Sequence, residues 1–112
     1  MSHPRLKEIR FTYQDYLLTS DDKRYELIEG ELLMAPAPDT KHQSISGRLF
    51  TRLDRIISRG RLGFLFSAPC DVVLSDEDVV QPDLLFISSE RKGIISEKNI
   101  QGPPDLVVEI LS

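Results

Sequence analysis

The chain carries one cysteine, Cys70, in 112 residues. A single thiol excludes an internal disulfide and a cysteine-based zinc site, and it fits a reducing cytoplasm. No apolar run approaches the ~20 residues that a membrane-crossing helix needs. The start, "MSHPRLKEIR", has no apolar core, so it does not read as a secretory signal. Positive charge is not in excess either: the net charge is -4, which argues against a generally basic nucleic-acid binder but not against a local basic stripe. Internal repeats and low-complexity tracts are missing. Ser44 and Ser46 have no base at a motif spacing, so there is no serine-hydrolase signal.

What remains is an ordinary composition, 40% hydrophobic and 29% charged, in a length suited to one core. The expectation is a single domain over 1–112. "FTYQDYLLT" (11–19) predicts a short helix, with Asp15 three residues after the capping Thr12. "RYELIEGELLM" (24–34) predicts a hairpin turning at Glu29-Gly30, where glycine tolerates positive φ. That turn sets Ile28 opposite Glu31, Leu27 opposite Leu32 and Glu26 opposite Leu33. Glu26 and Glu31 then share a sheet face.

"DTKHQSISGRLFTRLDRIISRG" (39–60) is the main helix, with Asp39 or Thr40 as its N-cap and Gly60 as its stop. Ile45, Leu49, Leu53, Ile56 and Ile57 mark the face expected to be buried. His42 precedes Ile45 by three residues and so stands on the inward side, near the helix start. Lys41, Arg48, Arg52, Arg55 and Arg59 form a narrow stripe about a quarter turn from the apolar face. Such a stripe is either a solvated helix face or a contact surface for DNA phosphates.

Strands are predicted at 63–68, 70–75 and 79–88, then a helix or turn at 89–96, a Gly/Pro loop at 99–105 and a last strand at 106–112. Two of these apolar strands hold one carboxylate each. Asp83 alternates with Leu85 and Ile87, and Glu109 with Val107 and Leu111. A buried ionised carboxylate needs a partner. On neighbouring strands the two carboxylates can converge, and like charges that close repel unless a cation lies between them or one is protonated. A hard divalent ion accepts such a site, because magnesium uses one or two carboxylates and keeps its waters. The alternatives are a structural ion pair and an exposed sheet edge.

Three blocks in order, "RYELIEGELLMAPAPDTKHQSISGRL", "QPDLLFIS" and "GPPDLVVEILS", resemble the Uma-two family within the PD-(D/E)XK nuclease superfamily. The resemblance runs from about Thr12 to Ser112. It implies an α/β fold with a restriction-endonuclease-like core, whose mixed, mostly antiparallel sheet carries one long helix. It also implies a magnesium-dependent (or manganese-dependent) DNA endonuclease with Asp83 and Glu109 as metal carboxylates. Glu26, Glu31 and His42 match the family's hairpin glutamates and helix-start histidine and become candidate site residues. The rival readings are a non-catalytic DNA-binding or oligomerisation module with the same fold, and a metal-dependent hydrolase of another substrate.

The chain departs from the superfamily pattern at Leu111, where a lysine is expected two residues after the acidic residue. The resemblance also implies a longer domain with a further helix and hairpin. The sequence therefore predicts a catalytically weak chain, and a homo-oligomer in which strand 106–112 lies near the interface. Lys92 and Lys98 are the nearest lysines and would serve only if their loop folded back over the cleft. The remaining expectations are a cytoplasmic location and no membrane partner.

Overall fold

A computed structural model describes residues 9–20 and 23–111 of the chain. In chain order the elements are α1 (Tyr13–Tyr16), β1 (Arg24–Ile28), β2 (Glu31–Ala35), α2 (Thr40–Gly60), β3 (Gly63–Ser67), β4 (Val72–Ser75), β5 (Asp78–Val80), β6 (Leu84–Ser88), a 3-10 turn (Ser89–Ile94) and β7 (Leu106–Val108). The fold is α/β, with antiparallel strand pairing and one long helix, as the sequence implies.

The β1–β2 hairpin has the register read from the sequence, with Ile28 opposite Glu31 and Glu26 opposite Leu33. Its turn works because Glu29 and Gly30 both take positive φ, 51° and 79°. The expected helix at 11–19 shrinks to one turn. Its start is taken by tertiary bonds instead: the Phe11 N–H donates to Gly30 O and the Tyr13 N–H to Asp76 O. The capping pair forms as expected, with the Thr12 N–H donating to Asp15 at 2.8 Å.

The expected strand 79–88 is in fact two strands in two sheets. One sheet has the order β2-β1-β5-β4, the other β3-β6-β7. The chain leaves the first at Val80 and enters the second at Leu84. Pro82 has no N–H for a ladder. The Gln81 N–H is drawn off to the Glu26 carboxylate at 2.7 Å, and Asp83 O accepts from the Ala68 N–H. An apolar run that looked continuous therefore breaks at Gln81-Pro82-Asp83, and this break sits at the junction of the sheets.

Two core clusters form, one within the first sheet and one where Val72 of β4 meets the second sheet. Leu27 and Val79 pack with Tyr16, while Leu85 and Ile87 pack with Val72 and Ile100. Cys70 is half-buried beside the second cluster, a small packing residue as its isolation suggested.

Helix α2 starts at the Asp39 cap, whose carboxylate accepts from the His42 N–H at 2.7 Å. It ends at Gly60, as the sequence predicts, and Arg61 just beyond takes the left-handed C-cap with φ 50°. A Cβ at Gly60 would meet the Leu62 side chain, with Cγ at 2.9 Å, so Leu62 would have to shift. The helix packs against β3. Of the face expected to be buried, only Ile57 is; Leu49 and Leu53 are half-buried, Ile45 is exposed and Ile56 is 60% exposed. A single three-stranded sheet is too narrow to cover the whole stripe.

The expected core strand 106–112 is also corrected. β7 pairs only with β6 and is an edge, with Leu106 and Val107 exposed and Val108 half-buried. No helix among the described residues is long and apolar enough to cross a membrane.

Candidate active site

The sheet junction opens into a cleft of about 930 Å³ between the hairpin, α1, the first half of α2 and the 67–69 segment. Asp83 and His42 both line it. Asp83 is 7% exposed, the one charged residue in the buried set. Its two oxygens have different partners. Oδ2 accepts from the Ile110 N–H at 2.7 Å, and Oδ1 lies 3.1 Å from His42 Nε2. The backbone partner ties the chain beyond β7 to the sheet junction. The histidine is delivered by α2, and its phase on the helix, matching Ile45 and Leu49, points it inward as the sequence predicts. No buried side-chain nitrogen or oxygen among the described residues lacks a hydrogen-bond partner.

Glu109 comes to the same point from the neighbouring strand. Leu84 pairs with Val108, so the next step outward sets Asp83 across from Glu109. Directly opposed residues of an antiparallel pair share a face. As a whole Glu109 is exposed, but its carboxyl end is partly desolvated. That burial, then the Asp83 carboxylate, then Glu26 raise its pKa above the ordinary carboxylate value. Glu26 is half-buried and held by the Gln81 N–H. Glu31 is not brought into this group. It stands exposed beside the hairpin turn, opposite Ile28, a full alternation step beyond Glu26.

A second polar network, which the sequence reading missed, walls the cleft. The Tyr16 hydroxyl donates to Asp71 Oδ1 at 2.7 Å. Gln81 Nε2 donates to the same oxygen at 2.8 Å and to the Tyr16 hydroxyl at 3.1 Å. Gln81 Oε1 in turn accepts from Arg24 Nε at 3.2 Å. Burial, then the bond to Asp71, push the Tyr16 hydroxyl well above its usual pKa. One signal was available: Gln81 is a lone amide between Val80 and Pro82, directly before Asp83.

The donor set suits a hard cation that keeps its own waters. Asp83 and Glu109 could supply oxygen ligands; burial first, then the Asp83 and Glu26 charges, raise the Glu109 pKa, and a cation would offset the latter. It does not suit a caged metal: among the described residues no group of three or more His, Cys, Asp or Glu is arranged to hold one. Lys41, Arg48, Arg52, Arg55 and Arg59 are all exposed. At 100° per residue they stand roughly half a turn from Ser46 and Phe50, the cleft-facing side of α2. Lys92 and Lys98 are exposed too, and neither lines this cleft.

The architecture is shared with a solved structure. It superposes on the crystal structure of a protein from Anabaena variabilis described as "a putative nuclease belonging to DUF820", with a TM-score of 0.74 and 23% sequence identity. The match covers 91% of this chain and 59% of that one, so the chain spans little more than half the length of its structural neighbour. This likeness establishes a restriction-endonuclease-like fold. The family follows from the sequence itself: residues 12–112 match Uma2, "Putative restriction endonuclease", and the chain belongs to that family. No curated protein matches it.

Proposed function

We propose that this chain is the core of a magnesium- or manganese-dependent DNA endonuclease, with Asp83 and Glu109 as the metal carboxylates. The observation that carries the reading is the placement of Asp83. The strand break at Gln81-Pro82-Asp83 sets a buried carboxylate at the floor of a polar cleft, opposite Glu109 and 3.1 Å from His42. A divalent ion between those carboxylates would polarise a phosphoryl oxygen and lower the pKa of an attacking water. His42 keeps the Asp83 carboxylate turned toward the cleft and is placed to handle the proton that water gives up. Glu26 adds a third negative group beside the pair, and Glu31 has no part. In the reaction a water oxygen bonds to phosphorus, one P–O ester bond breaks, and the leaving nucleoside oxygen takes a proton.

DNA is the substrate in this reading because the family description names restriction endonucleases. The reading places the protein in the cytoplasm, where a lone thiol such as Cys70 stays reduced. A homo-oligomer belongs to it as well, since the β7 edge and Ile56 leave apolar surface open. One observation favours the rival, a DNA-binding module without chemistry. The exposed stripe Lys41, Arg48, Arg52, Arg55 and Arg59 of α2 is not part of the cleft lining, so DNA could be held there without engaging Asp83.

A plasmid-nicking assay with magnesium or manganese separates the two. The endonuclease reading expects nicking that Asp83→Ala abolishes. Nicking that survives in Asp83→Ala refutes the assignment. DNA binding without nicking, weakened by Arg52→Glu and untouched by Asp83→Ala, establishes the rival.

A further inference from the structure

Leu111 stands where the nuclease pattern places a lysine after its last carboxylate, and Lys92 and Lys98 do not line the cleft. A cluster of three carboxylates receives a phosphodiester, itself an anion, only if a cation stands beside it. Two cationic residues from the opposite end of the chain, Lys23 and Arg24, line the cleft, and among the described residues Arg24 is the one fixed by a side-chain hydrogen bond.

Arg24 is the first residue of β1 and lies two before Glu26, so both project from the same sheet face. It lines the same cleft as Asp83 and His42. Its Nε donates to Gln81 Oε1 at 3.2 Å. That acceptor has no freedom to turn away. The Gln81 amide nitrogen is already committed to Asp71 and the Tyr16 hydroxyl, so the carbonyl oxygen must face Arg24. The Gln81 backbone N–H is anchored on Glu26. One amide side chain therefore orients the guanidinium from its Nε edge, while the two terminal nitrogens make no hydrogen bond among the described residues.

We propose that Arg24 is the phosphate-binding cation of this site, its terminal guanidinium nitrogens taking the non-bridging oxygens of the phosphodiester, with Gln81 as its positioning residue. A planar fork of N–H donors matches a phosphate in two-point contact, which an ammonium does not. The proposal rests on the endonuclease reading for its substrate and adds the group that neutralises phosphate charge.

Two measurements test it, chosen so that failure of the arginine and failure of the nuclease reading look different. The first follows the Arg24 Nε–H resonance of the 15N-labelled protein as a short DNA duplex is added in EDTA. The Arg24 and His42 signals should both move. Movement of His42 with an unmoved Arg24 overturns the arginine assignment and leaves the cleft as the DNA site. If neither moves, both readings fall. The second compares turnover at saturating plasmid with manganese. Loss of one preorganised charge-stabilising group costs ~10²–10³ in kcat, so Arg24→Gln should fall by that factor with a small change in KM. Arg24→Lys should recover part of the rate, because it restores charge without the fork. Full kcat in Arg24→Gln overturns the proposal. If wild type does not nick but the duplex moves Arg24, the phosphate site stands and the endonuclease reading falls.

Discussion

Replacing Asp83 with alanine should destabilise the fold even though it relieves repulsion with Glu109. The carboxylate has two acceptor contacts, the Ile110 N–H at 2.7 Å and His42 Nε2 at 3.1 Å, in a site only 7% exposed. Hydrogen bonds to a charged group contribute about 1.5–3 kcal/mol each, and the orphaned Ile110 N–H adds to the loss. Against this stands the removal of one of two opposed carboxylates. Glu109 is exposed to solvent along much of its length, so screening limits that gain to about 1 kcal/mol. The net expectation is a loss of about 2–5 kcal/mol, or more than about 10 °C in Tm for a domain of this size. Asp83→Asn makes the comparison sharp. Its carbonyl oxygen can still accept from Ile110, its amide can donate to a neutral His42 ring, and the like charge is gone. That variant should stay within about 1 kcal/mol of wild type. The sequence has no tryptophan, so urea unfolding is best followed by far-UV circular dichroism. If Ala and Asn variants are equally stable and neither falls below wild type, the two contacts do not hold the site and repulsion dominates it.

Glu109 gives a pH prediction. Its folded pKa is raised, by burial first and by Asp83 next. Its stabilising contribution is therefore complete below the unfolded carboxylate pKa and is lost as pH rises through the folded pKa. Glu109→Gln should be more stable than wild type near neutral pH, and its stability curve should lack that decline. Added magnesium should raise the Tm of wild type but not of the variant, because a ligand stabilises only the state that binds it; equal shifts in both would place the ion elsewhere. The exposed β7 edge, with Leu106 47% and Val107 48% exposed, predicts self-association that Val107→Lys weakens. Sedimentation showing a monomer at every concentration would refute it.

The sequence by itself determined the local elements and the list of chemical groups. Glu29-Gly30 dictates a tight turn, and with it the pairing of Glu26 with Leu33, because backbone φ and side-chain alternation leave little choice. The Asp39 carboxylate caps α2 by accepting from the nearby His42 N–H, and helical phase sets His42 on the inward side, where Asp83 receives it. The lone acids in apolar runs marked Asp83 and Glu109 as residues needing explanation. Periodicity could not show that 79–88 breaks into two strands. That break follows from Gln81 bonding to Glu26, 55 residues away. It could not show that α2 is only partly covered, which depends on how much sheet lies beneath it. Nor could spacing bring Arg24 to Gln81, or separate Glu26 from Glu31, which share a face but not a site. Contacts between residues far apart in sequence leave no local pattern. Only the packing of the two sheets, with their cleft between, decided which charged groups meet.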